Sequence, residues 1–136
     1  EAVTLFVGAN PARPKPLATY EATPPFPLHR LGIQQVVLNL LDNAADAAAS
    51  TGGNVRLLVG PTPDGGAQLV VEDDGPGIPE EVRGRMFEPL FTTKAHGTGL
   101  GLSIVRRIVE EHQASIRCDS TLGKGTRMTV TFPPIE

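Results

Sequence analysis

One stretch constrains this chain more than any other: residues 97–105, GTGLGLSIV, join a glycine-rich turn to an amphipathic helix pattern. Positions without a side chain let the backbone approach a ligand closely. The first turn of the helix presents unpaired N–H groups and the positive end of the helix dipole. The stretch therefore predicts an anion site, for which phosphate is the usual occupant. A flexible loop in front of a surface helix is the alternative that this stretch alone leaves open.

A long helix is predicted over residues 28–50, which contain no proline. At about 100° per residue its apolar side chains cover most of the circumference, so much of the helix is predicted to be enclosed. One narrow arc is polar and consists of Gln35, Asn39, Asn43, Asp46 and Ser50. A solvated face would carry paired Lys and Glu instead of amides. The arc therefore indicates a ligand or metal site, and a structural hydrogen-bond ladder to a neighbouring strand is the alternative.

Hydrophobic alternation and turn residues predict the remaining elements. Strands are expected at residues 2–7, 17–21, 54–60, 67–72, 115–120 and 126–132, and shorter helices at 80–86 and 99–113. The prolines around residues 17–21 favour an edge position for that strand. A second glycine-rich turn follows the strand 67–72, in which Asp73 stands before Gly75 and Gly77. This acidic turn predicts a wall against which a flat ligand can lie.

Composition narrows the class of ligand. The net charge of −3 argues against a nucleic-acid partner, which requires a basic face. No apolar run approaches the ~20 residues of a membrane span, and no secretion leader is present, so a cytoplasmic domain without direct membrane contact is expected. The single cysteine, Cys118, excludes an internal disulfide and a multi-cysteine metal site, and its alternating context favours a buried apolar role.

A short polar loop, residues 92–96, lies just before the phosphate-site candidate. It contains Lys94, the only lysine between Lys15 and Lys124. This proximity predicts that Lys94 contacts phosphate, and a solvated surface lysine is the alternative.

Five segments in this order resemble the catalytic ATP-binding domain of two-component sensor histidine kinases. Residues 35–47 resemble the N box, 73–78 the first glycine box, 87–91 the F box, 97–102 the second glycine box and 123–126 the third. This family belongs to the superfamily of gyrase, MutL and the heat-shock chaperone ATPases, and the match covers residues 33–133. A Walker motif is absent, and a dinucleotide fingerprint requires a different glycine spacing.

The resemblance implies a Bergerat-type fold, an α+β two-layer sandwich formed by residues 1–136 as a single domain. A mixed, mostly antiparallel sheet of five or six strands would carry about three helices on one face. The implied function is to bind Mg²⁺ and ATP and to donate the γ-phosphoryl group to a histidine on a separate dimerisation domain in two-component signalling.

The resemblance also implies a role for individual residues. Asn43 would bind magnesium, Asn39 and Lys94 would act catalytically at the phosphates, Asp73 would accept a hydrogen bond from the adenine amino group, and Thr126 would support that contact through water. The implied nucleotide-binding set is Asn39, Asn43, Asp46, Asp73, Gly75, Gly77, Ile78, Lys94, Thr98, Gly99, Leu100, Gly101, Leu102 and Thr126.

Two departures from the family pattern refine this interpretation. Asp46 stands where many sensor kinases carry Lys or Arg, and together with Thr92, Thr93 and Lys94 it resembles the nitrogen-regulation type. His29 stands where an Asp commonly caps the long helix.

The phosphorylated histidine of the family has no counterpart in this sequence. None of the three histidines (His29, His96 and His112) stands next to Glu or Asp in the acceptor pattern. We therefore expect a fragment whose dimerisation domain lies upstream, whose second partner is a response-regulator receiver domain, and whose intact protein can be membrane-anchored.

Three other functions stay open at this point: a nucleotide-sensing module without transfer, a conformational ATPase, and a serine-directed kinase of the anti-sigma type. Every ATP-contact position carries a competent residue, which opposes the first. The polar loop at residues 92–96, which would form the lid over the site, is short, and this opposes the second. The FEPLFTTK segment (residues 87–94) favours the sensor kinase over the third.

Overall fold

A computed structural model describes residues 17–20, 30–88 and 101–134. Its elements in chain order are β1 (Leu17–Tyr20), α1 (Arg30–Thr51), β2 (Val55–Pro61), β3 (Ala67–Asp73), α2 (Glu80–Arg83), α3 (Gly101–Glu111), β4 (Ser115–Thr121) and β5 (Gly125–Phe132). The strand predicted at residues 2–7, the lid at 92–96 and the start of the predicted helix at 99 lie outside the described residues.

The described strands form one five-stranded sheet in the order β1-β2-β3-β5-β4. Two hairpins, β2–β3 and β4–β5, are joined by antiparallel pairing of β3 with β5, and β1 pairs in parallel with β2. The mixed, mostly antiparallel sheet is therefore confirmed, with the lower of the two expected strand numbers in the described part. Among the described strands, β1 lies at the edge of the sheet, as predicted.

Helices α1 and α3 share one face of the sheet, and the core lies between these two layers. Helix α1 is enclosed over much of its circumference, as predicted. The core side chains that are most completely buried are Val36, Leu40, Leu41, Val55, Leu57, Val71, Val105, Val109 and Val130. Cys118 packs against the edge of this core, and burial raises the pKa of its thiol. The buried apolar role predicted for Cys118 agrees with this position.

Helix α2 is shorter than expected. The sequence predicts a helix over residues 80–86, whereas the structure gives Glu80–Arg83, a single turn that buries no side chain. Gly84 ends the turn, and the chain then turns to place Met86 in the core. A residue with low helix propensity and the burial of a nearby apolar side chain thus outweigh the local pattern. Of the three helices expected on one face, only α1 and α3 build the layer in the described chain.

The opposite face of the sheet carries a row of charges. Arg56, Glu72 and Arg127 face one another across β2, β3 and β5. Glu72 accepts from Arg56 Nε at 3.3 Å and lies 3.4 Å from Arg127 Nε. Among the residues that the structure describes, no helix is long and apolar enough to cross a membrane.

Candidate functional site

Strand register places three polar side chains in one row on the helix-covered face. Asp73 on β3 pairs with Thr126 on β5, and Thr126 pairs with Ser120 on β4. Paired residues project to the same side of a sheet, so these side chains are neighbours. Asp73 and Thr126 are the only polar residues among the fully buried side chains of the described chain.

Asp73 is a buried carboxylate that keeps unused acceptor capacity. One of its oxygens accepts from the Gly75 backbone N–H at 2.9 Å, and the carboxylate also accepts from the backbone N–H of Thr126. Burial raises the pKa of Asp73, and these two hydrogen bonds oppose that rise. A carboxylate has about four lone-pair positions. The two that remain can receive hydrogen bonds from a ligand.

Glycines allow the chain around Asp73 to pass close to its neighbours. A side chain at Gly75 would place its Cβ 2.7 Å from the Cβ of Ala47 on α1 and 2.8 Å from Asp73 Oδ1. Gly125 has a φ of +132°, and a Cβ there would overlap the carbonyl oxygen of Asp73. Gly75 of the first predicted box and Gly125 of the third are thus required by close contacts around Asp73.

Hydrogen bonds join the glycine-rich turn that follows β3 to the turn between β4 and β5. The Gly123 backbone N–H donates to Pro76 O at 2.8 Å, and the Ile78 N–H donates to Ser120 Oγ at 2.7 Å. Gly77 has a φ of +81° and lies directly against the backbone of Thr121. The structure therefore brings together five predicted site residues, namely Asp73, Gly75, Gly77, Ile78 and Thr126.

The far end of the site lies along α1. Asn39, Asn43 and Ala47 are spaced by four residues and share one face of the helix. Ala47 lies against Gly75, whereas a Cβ at Gly101, where α3 begins, would lie 3.8 Å from Asn39 Oδ1. With a rise of about 1.5 Å per residue, the two ends are roughly 12 Å apart, with Asn43 between them.

Asn39 carries a polar atom without a partner. Its Nδ2 is buried and makes no hydrogen bond in the described part of the chain. A buried amide N–H without an acceptor is costly, so an oxygen-rich ligand at this end would satisfy it.

Other predicted residues differ in position. Asp46 and Ser50 are exposed at the rim of α1, and Leu102 packs against the core, so only its backbone could contact a ligand. Lys94, Thr98, Gly99 and Leu100 lie outside the described residues, as do His29 and His96. No group of three or more His, Cys, Asp or Glu side chains within residues 17–20, 30–88 and 101–134 could hold a metal ion.

The structure reveals a network that sequence reasoning missed. Arg56 donates to both oxygens of Asp74, at 2.8 and 3.1 Å, and the Asn54 N–H donates to Asp74 Oδ2 at 3.2 Å. Thr51 Oγ1 at the end of α1 donates to the Asp74 carbonyl at 2.7 Å. This network anchors the residue that follows Asp73. The hairpin register that joins Arg56 to Glu72 was the signal that could have found it.

Replacing Arg56 with alanine is expected to lower the free energy of unfolding by about 1 kcal/mol, because three charge-assisted hydrogen bonds, two to Asp74 and one to Glu72, are lost from a partly exposed site. The hydrogen bond from Arg56 also holds the pKa of Asp74 below its usual value. This contribution to stability is therefore present above the pKa of an unfolded Asp, ~3.9, and is lost as the pH falls through the folded pKa.

Denaturant unfolding at several pH values measures this effect. Arg106→Ala is the matched control, because Arg106 pairs with Glu110 on the exposed side of α3 and should contribute less than about 0.5 kcal/mol. Equal effects of the two substitutions at neutral pH would contradict the anchoring role of Arg56.

Comparison with known proteins places this geometry in a family. Residues 29–136 match the family described as histidine kinase-, DNA gyrase B-, and HSP90-like ATPase. Sporulation kinase A of Bacillus subtilis (strain 168) is 41% identical over 101 residues, which are 74% of this chain and 16% of that protein. The sensory histidine kinase/phosphatase NtrB of Rhodobacter capsulatus is 42% identical over 113 residues, 74% of this chain and 31% of that protein.

Solved structures agree with the sequence relatives. The mycobacterial sensor histidine kinase MprB has a TM-score of 0.79 and 29% identity, covering 98% of this chain and 95% of that chain. The catalytic domain of histidine kinase ThkA has a TM-score of 0.75 and 28% identity, covering 97% and 90%. The chain spans less than a third of the length of the two curated relatives. It belongs to the histidine kinase-, DNA gyrase B- and HSP90-like ATPase family, and within that family it resembles the catalytic domains of sensor histidine kinases, as its motifs predict.

Proposed function

We propose that this domain binds ATP with Mg²⁺ along α1 and donates the γ-phosphoryl group to a histidine on a separate dimerisation domain. The observation that carries the proposal is the arrangement of two polar groups beside one face of α1, Asp73 near Ala47 and Asn39 two turns earlier, with the two ends of this face about 12 Å apart along the helix. At one end Asp73 offers buried acceptors, and at the other Asn39 offers a buried donor. A nucleoside triphosphate has an amino-bearing base at one end and anionic oxygens at the other.

The base end suits adenine. The amino group of adenine donates hydrogen bonds, and Asp73 is a buried acceptor at this end of the site. Gly75 leaves the wall next to this carboxylate without a side chain, so a planar ring can approach the backbone. The rise in the pKa of Asp73 caused by burial also means that a bound donor would stabilise its ionised form.

The phosphate end suits a triphosphate with a divalent cation. Asn39 Nδ2 can donate to a phosphate oxygen, and α3 begins at Gly101, beside Asn39. Asn43 lies midway between Asn39 and Ala47 on this face of α1. Its amide oxygen is a hard ligand of the type that Mg²⁺ binds while waters and phosphate oxygens supply its other ligands. When bound, the cation would neutralise phosphate charge. Lys94 is proposed to contact the phosphates from the loop.

Positioning explains why transfer would need a second domain. Phosphoryl transfer depends mainly on alignment and charge neutralisation, so this chain needs no nucleophile of its own. Asn39 carries an amide, and an amide cannot serve as a general base for water. Alignment of an acceptor with the γ-phosphate can contribute ~7–11 kcal/mol, which becomes available only when an acceptor histidine docks.

The relatives support this assignment and its setting. Two of the similar proteins are named as NtrB, from Rhodobacter capsulatus and Azospirillum brasilense, which agrees with the nitrogen-regulation features around Asp46 and Lys94. We propose the same partners for this chain: a histidine-containing dimerisation domain and, after transfer, a response-regulator receiver domain in the cytoplasm. A nucleotide-sensing module without transfer is the second candidate.

Incubation with γ-labelled ATP separates the two candidates. The chain alone should bind ATP without labelling itself and without brisk phosphate release. A matching dimerisation domain added in trans should become labelled on histidine. A dimerisation domain with its acceptor histidine replaced by alanine is the control. Absence of label with the intact partner would favour the sensing module, and label on this chain alone would contradict the proposal.

Replacing Asn43 with alanine is expected to lower the affinity for ATP in the presence of Mg²⁺ at least about tenfold, through the loss of an oxygen ligand to the cation. Affinity measured without Mg²⁺ should change little. Calorimetric titration with and without the cation measures both values.

Gln34→Ala is the matched control, because Gln34 is an amide residue on the same helix that lies outside the polar arc. A Mg²⁺-dependent gain in affinity that survives in the Asn43 variant would contradict the assignment of Asn43 as a ligand. Thermal unfolding of both variants checks that the helix is retained.

A further inference from the structure

We propose that Ser120 sets the base specificity of the site by fixing the hydroxyl of Thr126 as a hydrogen-bond acceptor. The inference rests on the proposed binding of ATP and deepens it. Ser120 belongs to none of the segments that carry the family resemblance, and it reaches the site only through the register of β4 and β5.

The Ser120 hydroxyl makes three contacts at hydrogen-bond distance. Its Oγ lies 2.7 Å from the Ile78 backbone nitrogen, 3.1 Å from the Gly125 carbonyl oxygen and 2.9 Å from Thr126 Oγ1. A serine hydroxyl has one hydrogen to donate and two lone pairs to accept with. Three contacts therefore use its complete capacity, and the direction of each follows from counting hydrogens.

Two of the three directions are fixed by chemistry. A backbone N–H can only donate, so Ser120 Oγ accepts from Ile78. A carbonyl oxygen can only accept, so the single Ser120 hydrogen goes to Gly125 O. The contact with Thr126 Oγ1 is then a hydrogen bond only if the hydrogen of Thr126 points toward Ser120.

This assignment determines what Thr126 offers to a ligand. With its hydrogen directed at Ser120, Thr126 Oγ1 presents only lone pairs on its other side. Asp73, its neighbour in the row, presents carboxylate oxygens that accept as well. The base end then consists of acceptors alone, which favours a ligand edge or a bridging water that donates and disfavours a base with an oxo group at the same position.

Removal of the Ser120 hydroxyl should relax this discrimination. In Ser120→Ala the Thr126 hydroxyl is free to rotate and can donate to an oxo group. The loss of the bonds to Ile78 N and Gly125 O should weaken binding of every nucleotide, which is a structural effect. The ratio of two affinities therefore tests the inference, because a purely structural effect divides out.

The experiment titrates the full chain with ATP and with inosine triphosphate, which differ in an amino group against an oxo group on the ring. We expect the wild-type chain to bind ATP more tightly than inosine triphosphate. The ratio of these two affinities should fall about tenfold in Ser120→Ala. Ser120→Thr keeps a hydroxyl and should retain the preference. Ser115→Ala, an exposed serine on the same strand, is the matched control and should leave it unchanged.

Thr126→Val removes the acceptor that Ser120 orients and should also lower the preference for ATP, so it provides the test if Ser120→Ala does not fold. If whichever of these two variants folds loses affinity for both nucleotides by one common factor, the role of Ser120 is overturned. The proposal that the domain binds ATP would still stand. Failure of the wild-type chain to bind ATP would overturn the proposed function and this inference together.

Discussion

Replacing Asp73 with asparagine should weaken ATP binding between about tenfold and a hundredfold and lower the free energy of unfolding by about 1 kcal/mol. Asparagine can still accept from the Gly75 N–H through its one oxygen. Its amide NH₂ would then face the Thr126 backbone N–H and the amino group of adenine, which are both donors. A buried donor left without an acceptor costs ~1–3 kcal/mol. The conflict with Thr126 lowers the stability of the domain, and the conflict with adenine weakens the complex.

Titration with ATP and with GTP, together with denaturant unfolding, measures the two parts of this prediction. Asp119→Asn is the matched control, because Asp119 lies on β4 and pairs with the exposed Arg117. Loss of ATP and GTP affinity by equal factors would show that Asp73 does not read the base.

The pH dependence of stability gives an independent view of Asp73. Burial raises its pKa in the folded state above that of an unfolded Asp, ~3.9. The folded state therefore holds the proton more tightly, and the stability contributed by this group is present below the unfolded pKa and lost as the pH rises through the folded pKa. Asp73→Asn should remove this slope, which is opposite in sign to the slope that Asp74 contributes.

Replacing Gly75 with alanine should lower the free energy of unfolding by about 2 kcal/mol and abolish measurable ATP binding. The new methyl group would lie 2.7 Å from Ala47 Cβ and 2.9 Å from the Ala47 backbone carbon, so α1 would have to shift. It would also lie 2.8 Å from Asp73 Oδ1 and displace the carboxylate that we assign to the base. Denaturant unfolding and calorimetry measure the two effects.

Gly84→Ala is the matched control for this prediction. A Cβ at Gly84 would lie no closer than 3.8 Å to its neighbours, and its backbone is right-handed (φ −68°). Alanine should therefore be neutral or slightly stabilising there. Combining Gly75→Ala with Ala47→Gly removes one of the two contacts with α1 and should recover part of the loss. Normal ATP binding by Gly75→Ala would contradict the packing of this turn against α1.

Much of this fold could be predicted because its signals are local. The turn residues between β2 and β3 and the alternation in β4 and β5 depend on neighbouring positions only. The polar arc of α1 could be found because helix geometry relates residues four apart to one face. Motif order then connected Asn39, Asp73 and Thr126 to one family, and comparison with known proteins confirmed that family.

The remaining features depend on contacts between distant segments. Arg56 and Asp74 meet on the outer side of the site, and only the exact register of the β2–β3 hairpin relates one residue to the other. Ser120 resembles an ordinary strand serine until the register of the hairpin places it beside Thr126. The length predicted for α2 was wrong for the same reason, because burial of Met86 is a tertiary effect that overrides the local pattern.

The pairing of β3 with β5 also sets the order in which the chain can fold. Each hairpin, β2–β3 and β4–β5, closes a short loop, whereas β3–β5 pairing joins Asp73 to Thr126 across α2 and α3. Contacts between residues distant in sequence form slowly, because a long loop must close first. The row that contains Asp73, Thr126 and Ser120 is thus incomplete until the two hairpins meet. A ligand bound across that row would slow the unfolding of the domain without speeding its folding.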